Sequence, residues 1–335
     1  MSIRDEAGSE EQLAELREAL RRAQRNEHKA KAKIEELVQA VYQAASDALR
    51  AQPPVKVLPP KKDIRKGKAE VALIHATDWQ LGKRTVSYGI DTLEKRMDRF
   101  TDKVMELTLI QRAHHPVKEC TLMFGGDMVE GLGIFPGQQY EVEAHLYEQL
   151  FEASRIMQKM VLSFAGFFEK VSVVSEFGNH GRLGRRGDMP YGDNIDRIAY
   201  RITAEKLAAQ KNVTWQQSSD WYQVVEIGNY RALLVHGDEI KSFGGNTPAF
   251  GILRKVNQWA SGVLDGKWTD AYMGHFHTPM TLTAANGGRI FITGSPESGN
   301  EYAREFMAAT GHPSQRLHFV DPVKGRVTAE YNVWL

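Results

Sequence analysis

The stretch that decides the fold is Leu122-Met123-Phe124-Gly125-Gly126-Asp127, an apolar run that ends in two glycines and an aspartate. Four other apolar runs in the chain also lead into short polar motifs. Near-continuous apolar strands separated by helices are typical of α/β proteins, whose sheets are buried on both faces. Polar motifs at the carboxyl ends of such strands predict a ligand-binding edge. The five motifs are Asp78-Trp79-Gln80, Gly126-Asp127-Met128-Val129-Glu130, Gly178-Asn179-His180, His236-Gly237-Asp238 and Gly274-His275-Phe276-His277.

The composition of the 335-residue chain is ordinary for a globular protein. Its formal net charge of +1 does not by itself indicate a nucleic-acid or membrane partner. The single cysteine, Cys120, excludes an intrachain disulfide framework and a cysteine-rich zinc site. The sequence has no apolar stretch long enough to span a bilayer, and the charged residues 1–11 lack the apolar core of a signal peptide. We therefore expect a cytoplasmic protein with no membrane partner.

Three segments follow from the local composition. Residues 1–52 are predicted to form a helical arm, because residues 10–51 contain no Gly or Pro and are rich in good helix formers. Apolar residues recur there every three or four positions, which predicts a coiled coil and a homo-oligomer; an amphipathic helix packed on the protein's own body fits the same pattern. Residues 53–68, rich in Pro and Lys, are predicted to be a linker. Residues 69–335 are predicted to be the main domain.

The main domain is predicted to alternate strands with helices. The turn residues Gly228 and Asn229 between two apolar runs predict a hairpin over residues 224–235. The predicted helices cover residues 91–113, 141–168, 193–209 and 247–262, and the late strands cover residues 290–292, 317–320 and 327–334.

The five motifs supply carboxylate, amide and imidazole side chains, which bind divalent metal ions. Two such ions about 3.5–4 Å apart can deprotonate a water, neutralise a phosphate and stabilise the leaving group of a phosphodiester. One carboxylate must bridge the two ions, and Asp127, in its glycine-flanked turn, is the candidate. We expect Asp78, Gln80 and His277 to hold one ion, and Asn179, His236 and His275 to hold the other.

The fifth motif allows two histidines to reach the same site. Alternate residues of an extended segment point the same way, so we expect His275 and His277 to face the cluster and Phe276 to turn into the protein. Gly274 is expected to leave room for this approach. Any one of these residues alone is more often structural than metal-binding, so the prediction depends on the joint pattern.

The ordered set of motifs resembles the calcineurin-like metallophosphoesterase superfamily, whose motifs are usually written D-x-H, G-D-x-x-[DE], G-N-H-[DE], H and G-H-x-H. The resemblance covers residues 69–300 and is closest to bacteriophage and bacterial members related to SbcD-type nucleases. It implies a four-layer αββα sandwich of two mixed sheets, with a pair of divalent ions such as Mn²⁺. It also implies that His180 is the catalytic histidine, which would protonate the leaving oxygen or steady the phosphate.

Two positions depart from the superfamily pattern. Gln80 stands in place of the first histidine, and its amide oxygen is a weaker ligand that favours Mn²⁺ or Mg²⁺ over Zn²⁺. Superfamily members similar to the manganese-dependent ADP-ribose and CDP-alcohol diphosphatases also carry Gln there. Gly181 stands where an acid is common after the histidine, so another group must orient His180, and Asp238 and Glu239 are the candidates.

Three arginines, Arg182, Arg185 and Arg186, follow His180 closely. Guanidinium groups suit phosphate, so we predict that these side chains contact the substrate; a solvated loop is the alternative. Glu130 is either a hydrogen-bond acceptor for a metal ligand or a turn residue.

The leading hypothesis is a nuclease of phage-like origin that acts on DNA in the cytoplasm, which would be the host cytoplasm if a phage encodes it. The motif set, the arginines and the basic linker favour it. The first alternative is a phosphodiesterase or diphosphatase for small nucleotides, favoured by Gln80 and the near-zero net charge. The second alternative is a non-catalytic scaffold that keeps the fold and uses the coiled coil.

Overall fold

The computed structural model describes single positions and short runs between residues 17 and 47, and then residues 56–335 except 136, 185, 187–189, 191, 218–219, 242–247, 265–266 and 298–311. The chain divides into two compact units, Met1–Gln52 and Pro53–Leu335. The described residues of the first unit are helical and exposed to solvent. Most of this arm lies outside the described residues, so the coiled coil and the oligomer stay predictions.

The second unit begins with an extended segment that is attached to the rest of the unit. Its described residues, 56–68, form no regular helix or strand. The backbone amide of Val57 donates to the side-chain oxygen of Gln210 over 3.1 Å, and that of Asp63 donates to Glu169 over 2.7 Å. The part of the predicted linker that is described therefore runs along the surface of the domain.

The first of two sheets contains six strands among the described residues. β1 to β4 run parallel to one another, β10 pairs antiparallel with β1, and β11 pairs antiparallel with β10 at the edge. The strands are β1 (Glu70–Ala76), β2 (Val117–Gly125), β3 (Lys170–Glu176), β4 (Val213–Gln217), β10 (Ser314–Asp321) and β11 (Arg326–Trp334), in the order β11-β10-β1-β2-β3-β4.

The second sheet contains five strands among the described residues. β6, β7 and β9 are parallel, whereas β5 and β8 pair antiparallel at the two edges. The strands are β5 (Tyr222–Ile227), β6 (Tyr230–Val235), β7 (Asp270–Met273), β8 (Met280–Thr283) and β9 (Arg289–Ile292), in the order β5-β6-β7-β9-β8.

Helices cover the outer faces of both sheets. α1 (Ile90–Gln111), α2 (Leu146–Phe167) and α3 (Ile195–Lys206) pack on the first sheet, and α4 (Ala249–Gln258) packs on the second. A π-helical turn, Trp259–Val263, follows α4. Within the part of the chain that the structure describes, no helix is long and apolar enough to cross a membrane.

The two sheets pack face to face around one hydrophobic core. The first sheet contributes Leu73 and Met123, and the second contributes Leu234, Tyr272 and Phe291, all almost fully buried. Burying each large apolar side chain stabilises the fold by about 1.5–3 kcal/mol before conformational entropy is counted. The layers are therefore helix, sheet, sheet and helix, and the predicted four-layer αββα sandwich of two mixed sheets is confirmed.

The predicted elements are largely present, with shifted ends. α2 begins at Leu146 rather than near residue 141, because the Glu148 carboxylate accepts the backbone N–H of His145 (2.7 Å) and fixes the start there. α3 begins after Asn194, whose side chain accepts the N–H of Asp196. The edge strands β4 and β8 were not predicted, because their partly polar, half-buried residues give no continuous apolar signal.

Candidate metal centre

All five motifs lie where strands end. β1, β2 and β3 are parallel neighbours, and so are β6 and β7, so the carboxyl ends within each group lie along one edge of their sheet. β1 leads to Asp78 and Gln80, β2 to Asp127, β3 to Asn179 and His180, β6 to His236, and β7 to His275 and His277.

Asp127 lies at the centre of the first group of donors. Its Oδ2 is 3.0 Å from Nε2 of His236, and its Oδ1 accepts the backbone N–H of His180 over 2.7 Å. The amide oxygen of Asn179 is 3.2 Å from the same His236 nitrogen. One donor atom each of Asp127, His236 and His275 lie within 4.8 Å of one another. The structure therefore brings together the three side chains expected around the second ion and the expected bridge.

Asp78 is the centre of the second group. Its Oδ1 lies 3.3 Å from Nε2 of His277, and its carboxylate accepts the backbone N–H of His275 at 2.9 and 3.0 Å. The amide nitrogen of Gln80 faces His277 Nε2 at 3.1 Å, and its amide oxygen faces the ammonium of Lys83 at 3.4 Å. A half-turn of the planar amide would present the oxygen to a metal ion, so the expected ligand role of Gln80 requires that rotation.

Backbone strain is concentrated on these donors. Among the described residues, five that are not glycine have a left-handed φ, between 43° and 64°. Such a conformation costs of order 1–3 kcal/mol for a residue with a side chain, and it persists where the surrounding structure imposes it. Because all five were predicted as metal ligands, the strain and the motifs identify the same site: Asp78, Gln80, Asp127, His275 and His277.

The expectation that His275 and His277 lie on an extended segment is wrong. Both residues have left-handed backbones, with Phe276 between them. Phe276 packs against the core beneath α4, as expected, and the two imidazoles still turn toward different carboxylates. A side chain at Gly274 would collide with the Asp78 carboxylate and with Thr77, which explains the glycine at this position.

Asp196, near the start of α3, accepts hydrogen bonds from the backbone of two of the motif loops. Its fully buried carboxylate accepts the backbone N–H groups of Asp127 (2.9 Å), Met128 (3.1 Å), Val129 (3.3 Å) and Gly178 (3.0 Å). The carboxylate thus joins the loop after β2 to the loop after β3 and fixes Asp127. Asp196 was not among the predicted site residues, because nothing local in the sequence distinguishes it from an ordinary residue of a first helical turn.

Glu130 orients His180, through its backbone carbonyl and with its carboxylate nearby. The Nδ1 of His180 is 2.8 Å from the Glu130 carbonyl oxygen and 3.3 Å from its side-chain carboxylate. The suggestion that Asp238 takes this role is wrong, because its carboxylate pairs with the guanidinium of Arg182. Neither alternative for Glu130 matches this arrangement, because its contacts are with His180 and with the amide of Gln138 rather than with a predicted metal ligand.

Packing explains why position 181 is a glycine. A side chain at Gly181 would collide with the amide oxygen of Asn194, whose nitrogen donates to the Gly178 carbonyl over 2.7 Å. Asn194 also begins α3 and thereby places Asp196. The space that an acid would need after His180 is thus filled by the residue that anchors α3 to the loop after β3.

The structure locates two of the three predicted substrate arginines. Arg182 is half-buried, and its guanidinium pairs with the carboxylate of Asp238. Arg186 is exposed to solvent, and Arg185 lies outside the described residues. The predicted substrate contact of these residues stays a prediction.

The three histidines in the loops of the second sheet differ in pKa. Burial and the neighbouring His236 lower the pKa of His275 to about 4, so its imidazole is neutral at pH 7, the form that binds metal. Burial alone would lower the pKa of His277, but the hydrogen bond to Asp78 and the contact with Glu297 raise it to about 10. Asp127 likewise outweighs burial and raises the pKa of His236 well above its usual value. A metal ion must therefore displace protons from His236 and His277.

His180 is held in its protonated form. Burial disfavours the charged imidazole, but Asp127 and Glu130 outweigh burial and raise its pKa to about 9. A histidine that carries a proton at neutral pH and is 14% exposed can donate that proton to a substrate oxygen.

The donor set fits divalent metal ions. Two buried carboxylates, two amide side chains and three imidazoles converge, with no thiolate among them. Carboxylate and amide oxygens together with imidazoles bind divalent metal ions, and this mixture of donors does not select one of them. The buried charges of Asp78 and Asp127 need such partners, because unpaired charge in the interior is costly.

No protein family and no curated protein matches the sequence. The structure is similar to a conserved uncharacterised protein, a predicted phosphoesterase, from Streptococcus pneumoniae, with 13% identity and a TM-score of 0.33, over 80% of this chain and 100% of that chain. It is also similar to zinc-complexed Vps29 from Entamoeba histolytica, with 13% identity and a TM-score of 0.32, over 78% and 98%. A metallophosphoesterase from Sphaerobacter thermophilus matches at 13% identity and a TM-score of 0.29, over 78% and 88%.

These matches have low identity and concern the fold alone. The finer resemblance to SbcD-type nucleases stays a prediction. The two mixed sheets packed face to face, the flanking helices and the ordered motifs at the strand ends are features of this chain itself. On these features, the chain forms a four-layer αββα sandwich, which is the fold that the resemblance to the calcineurin-like metallophosphoesterases implies.

Proposed function

We propose that this protein is a divalent-metal-dependent phosphodiesterase, with nucleic acid, most directly DNA, as its substrate and Mn²⁺ as its working ion. The observation that carries the proposal is the convergence of donor side chains from both sheets around Asp127 and Asp78. Strained backbone at five of these donors supports it, because such strain persists where function requires it.

The chain's own residues would divide the work as follows. Asp127 would bridge the ions, with Asn179, His236 and His275 on one side and Asp78, Gln80 and His277 on the other. Bound divalent ions would supply an activated water and neutralise phosphate charge. The Nδ1 of His180 lies 2.8 Å from the Glu130 carbonyl oxygen. Its Nε2 lies 3.5 Å from the Gln80 amide nitrogen and therefore faces the donor cluster. This Nε2 would carry the proton that the leaving oxygen takes.

Nucleic acid is the preferred substrate class because the loop after His180 carries Arg182 and the exposed Arg186. The lysines and arginines of the 56–68 segment lie at the opposite edge of the first sheet, since Val57 and Asp63 bond to Gln210 and Glu169, which precede β4 and β3. An exposed arginine beside the site would engage a phosphate next to the one that is cleaved, which a polymer supplies and a single small diester does not.

A small-nucleotide phosphodiesterase is the second candidate. Its support is Gln80, which also occurs in superfamily members that cleave small diphosphates, and the formal net charge of +1. Turnover that falls steeply with salt concentration would favour a polymer substrate, because only a polymer makes many phosphate contacts.

The test is cleavage by the purified full chain with Mn²⁺, Mg²⁺ or a chelator. Linear and circular single strands, duplex DNA and small nucleotide diesters would be compared. We expect Mn²⁺-dependent cleavage of DNA that the chelator abolishes, and cleavage of circles would identify an endonuclease. Cleavage of small diesters alone would reject the nuclease. No hydrolysis with any metal would reject the enzyme and favour the non-catalytic scaffold.

A further inference from the structure

A buried chain of charged groups lies behind His277. The Nδ1 of His277 is 3.2 Å from one carboxylate oxygen of Glu297, and the other oxygen is 2.8 Å from the ammonium of Lys83. The Glu297 side chain is 2% exposed and that of Lys83 is 8% exposed. Neither residue belongs to the five motifs, and a buried acid and a buried amine are rare unless they are paired.

The segment that carries Glu297 is fixed to the other ligand of the same ion. The Ser295 hydroxyl donates to the Asp78 carbonyl over 2.7 Å and accepts the backbone N–H of Glu297 over 2.9 Å. The guanidinium of Arg96 donates to the Pro296 carbonyl over 2.5 Å. The residues after β9 therefore join Asp78 to His277 through a short, anchored connection.

The outer nitrogens of the two histidines have different partners. His236 Nδ1 lies 2.8 Å from the carbonyl of Gly125, a neutral backbone group. His277 Nδ1 instead faces a carboxylate. A carboxylate that accepts the outer N–H fixes the tautomer of a metal-binding histidine, leaves the inner nitrogen free to bind and makes that nitrogen more basic.

We infer that Glu297, held by Lys83, is a positioning residue that keeps His277 Nε2 ready to bind the ion on the Gln80 side. The inference rests on the proposed metal site. Gln80 is a weaker metal ligand than the histidine that it replaces. A more basic His277 Nε2 would bind the same ion more strongly and so compensate for Gln80. Lys83 contributes by fixing which way the Glu297 carboxylate faces.

Because Lys83 is proposed to fix the orientation of the group at position 297, two variants with and without Lys83 should bind the metal differently. An ammonium has only donors, so in Glu297→Gln it would attract the amide oxygen and leave the amide NH₂ facing His277. That NH₂ would donate to Nδ1 and force the proton onto Nε2, which blocks metal binding. In the double variant Lys83→Met/Glu297→Gln the amide is free to turn, so its oxygen can accept from Nδ1 again.

The experiment is calorimetric titration of Mn²⁺ into the metal-stripped full chain. For wild type we expect two ions. For Glu297→Gln we expect one binding step to weaken roughly 10- to 100-fold while the other is unchanged. The double variant should recover part of that loss. Asp270→Asn is the matched control, because Asp270 is a buried acid at the opposite end of β7, bonded to Tyr230 and Arg289, and it should bind as wild type does.

The outcomes separate this inference from the proposed function. If wild type binds no Mn²⁺, the metal site itself is wrong. If wild type binds two ions and Glu297→Gln binds them equally well, or the double variant is no better than the single, the positioning role is wrong. If the variants do not fold, ¹⁵N spectra of zinc-loaded wild type decide: we expect the His277 proton on Nδ1, and a proton on Nε2 would overturn the inference.

Discussion

The two sheets contribute different chemistry to the same site. Loops of the first sheet supply oxygen donors, from Asp78 and Asp127 among others, whereas loops of the second sheet supply imidazoles, from His236, His275 and His277. The contacts Asp127–His236 and Asp78–His277 therefore cross from one sheet to the other. The site is complete only when the sheets pack correctly, so the hydrophobic core between them is also what sets the metal geometry.

The first sheet also fixes its loops more firmly. The Asp196 carboxylate joins the loops after β2 and β3 through four backbone N–H groups. The second sheet relies on individual contacts to its histidines, such as the Gly125 carbonyl behind His236 and Glu297 behind His277. We therefore expect substitutions in the loops of the first sheet to weaken the binding of both metal ions. Substitutions in the loops of the second sheet should weaken the binding of one ion only.

Removing the predicted bridge should have the largest effect. Asp127→Asn keeps the shape but loses the charge that both ions would share. We expect Mn²⁺-dependent hydrolysis of a diester to fall about 10³-fold or more, since metal stabilisation of a phosphoryl transition state is worth several kcal/mol. Steady-state kinetics with Asp270→Asn as the control measures this. An Asp127→Asn enzyme within tenfold of wild type would contradict the bridging role.

Removing the predicted acid should cost less and should spare the metals. His180→Ala is expected to lower kcat by roughly 10²–10⁴-fold, the usual contribution of a positioned acid. Because His180 is not among the predicted ligands, calorimetry should still show two Mn²⁺ ions. Loss of an ion together with activity would instead mean that this histidine belongs to the metal site.

The pH profile tests the pairing of His180 with Glu130. Without bound metal, Asp127 and Glu130 outweigh burial and raise the pKa of His180 to about 9. Cations bound at Asp127 would cancel part of that rise, so the proton donor is present at low pH and is lost as the pH rises through a pKa no higher than about 9. We expect kcat to fall on the alkaline side. In Glu130→Gln the supporting charge is gone, so this fall should begin at lower pH; an unmoved alkaline limb would show that another group titrates there.

The smallest predicted effect is on stability and tests the backbone strain. Gln80→Ala and Gln80→Gly both remove the side chain, but only glycine tolerates a φ of 43° without strain. We expect the glycine variant to have the higher free energy of unfolding, by about 1 kcal/mol, the reverse of the usual order at unstrained positions. Urea unfolding measures the difference, and an alanine variant that is equally or more stable would show that the strain is absent.

The layered fold was predictable because its signals are local and repeated. Apolar runs such as Leu122–Phe124 mark buried strands, and apolar residues of α1 such as Leu93, Met97 and Phe100 recur at helical spacing. β4 and β8 escaped prediction because an edge strand buries little and so can tolerate polar residues.

The metal-binding side chains of the site were predictable from the sequence, but the residues that hold them in place were not. Metal-binding side chains follow strand ends in recognisable motifs, but Asp196 and Lys83 act on residues that are distant in sequence or belong to another loop. Glu297 lies beside Ser295 in a segment with no metal-ligand spacing. The left-handed backbone conformations of His275 and His277 could not be predicted from the sequence either. The motif suggested an extended segment, and only tertiary packing imposes the turn.

The most direct test of the account is a crystal structure of the protein soaked in Mn²⁺, with data collected for anomalous scattering. We predict two anomalous peaks that share Asp127, one beside Asn179, His236 and His275 and the other beside Asp78, Gln80 and His277. No peak at Asp127, or manganese bound only at exposed acidic residues elsewhere, would contradict the proposal that the two sheets together hold a pair of metal ions.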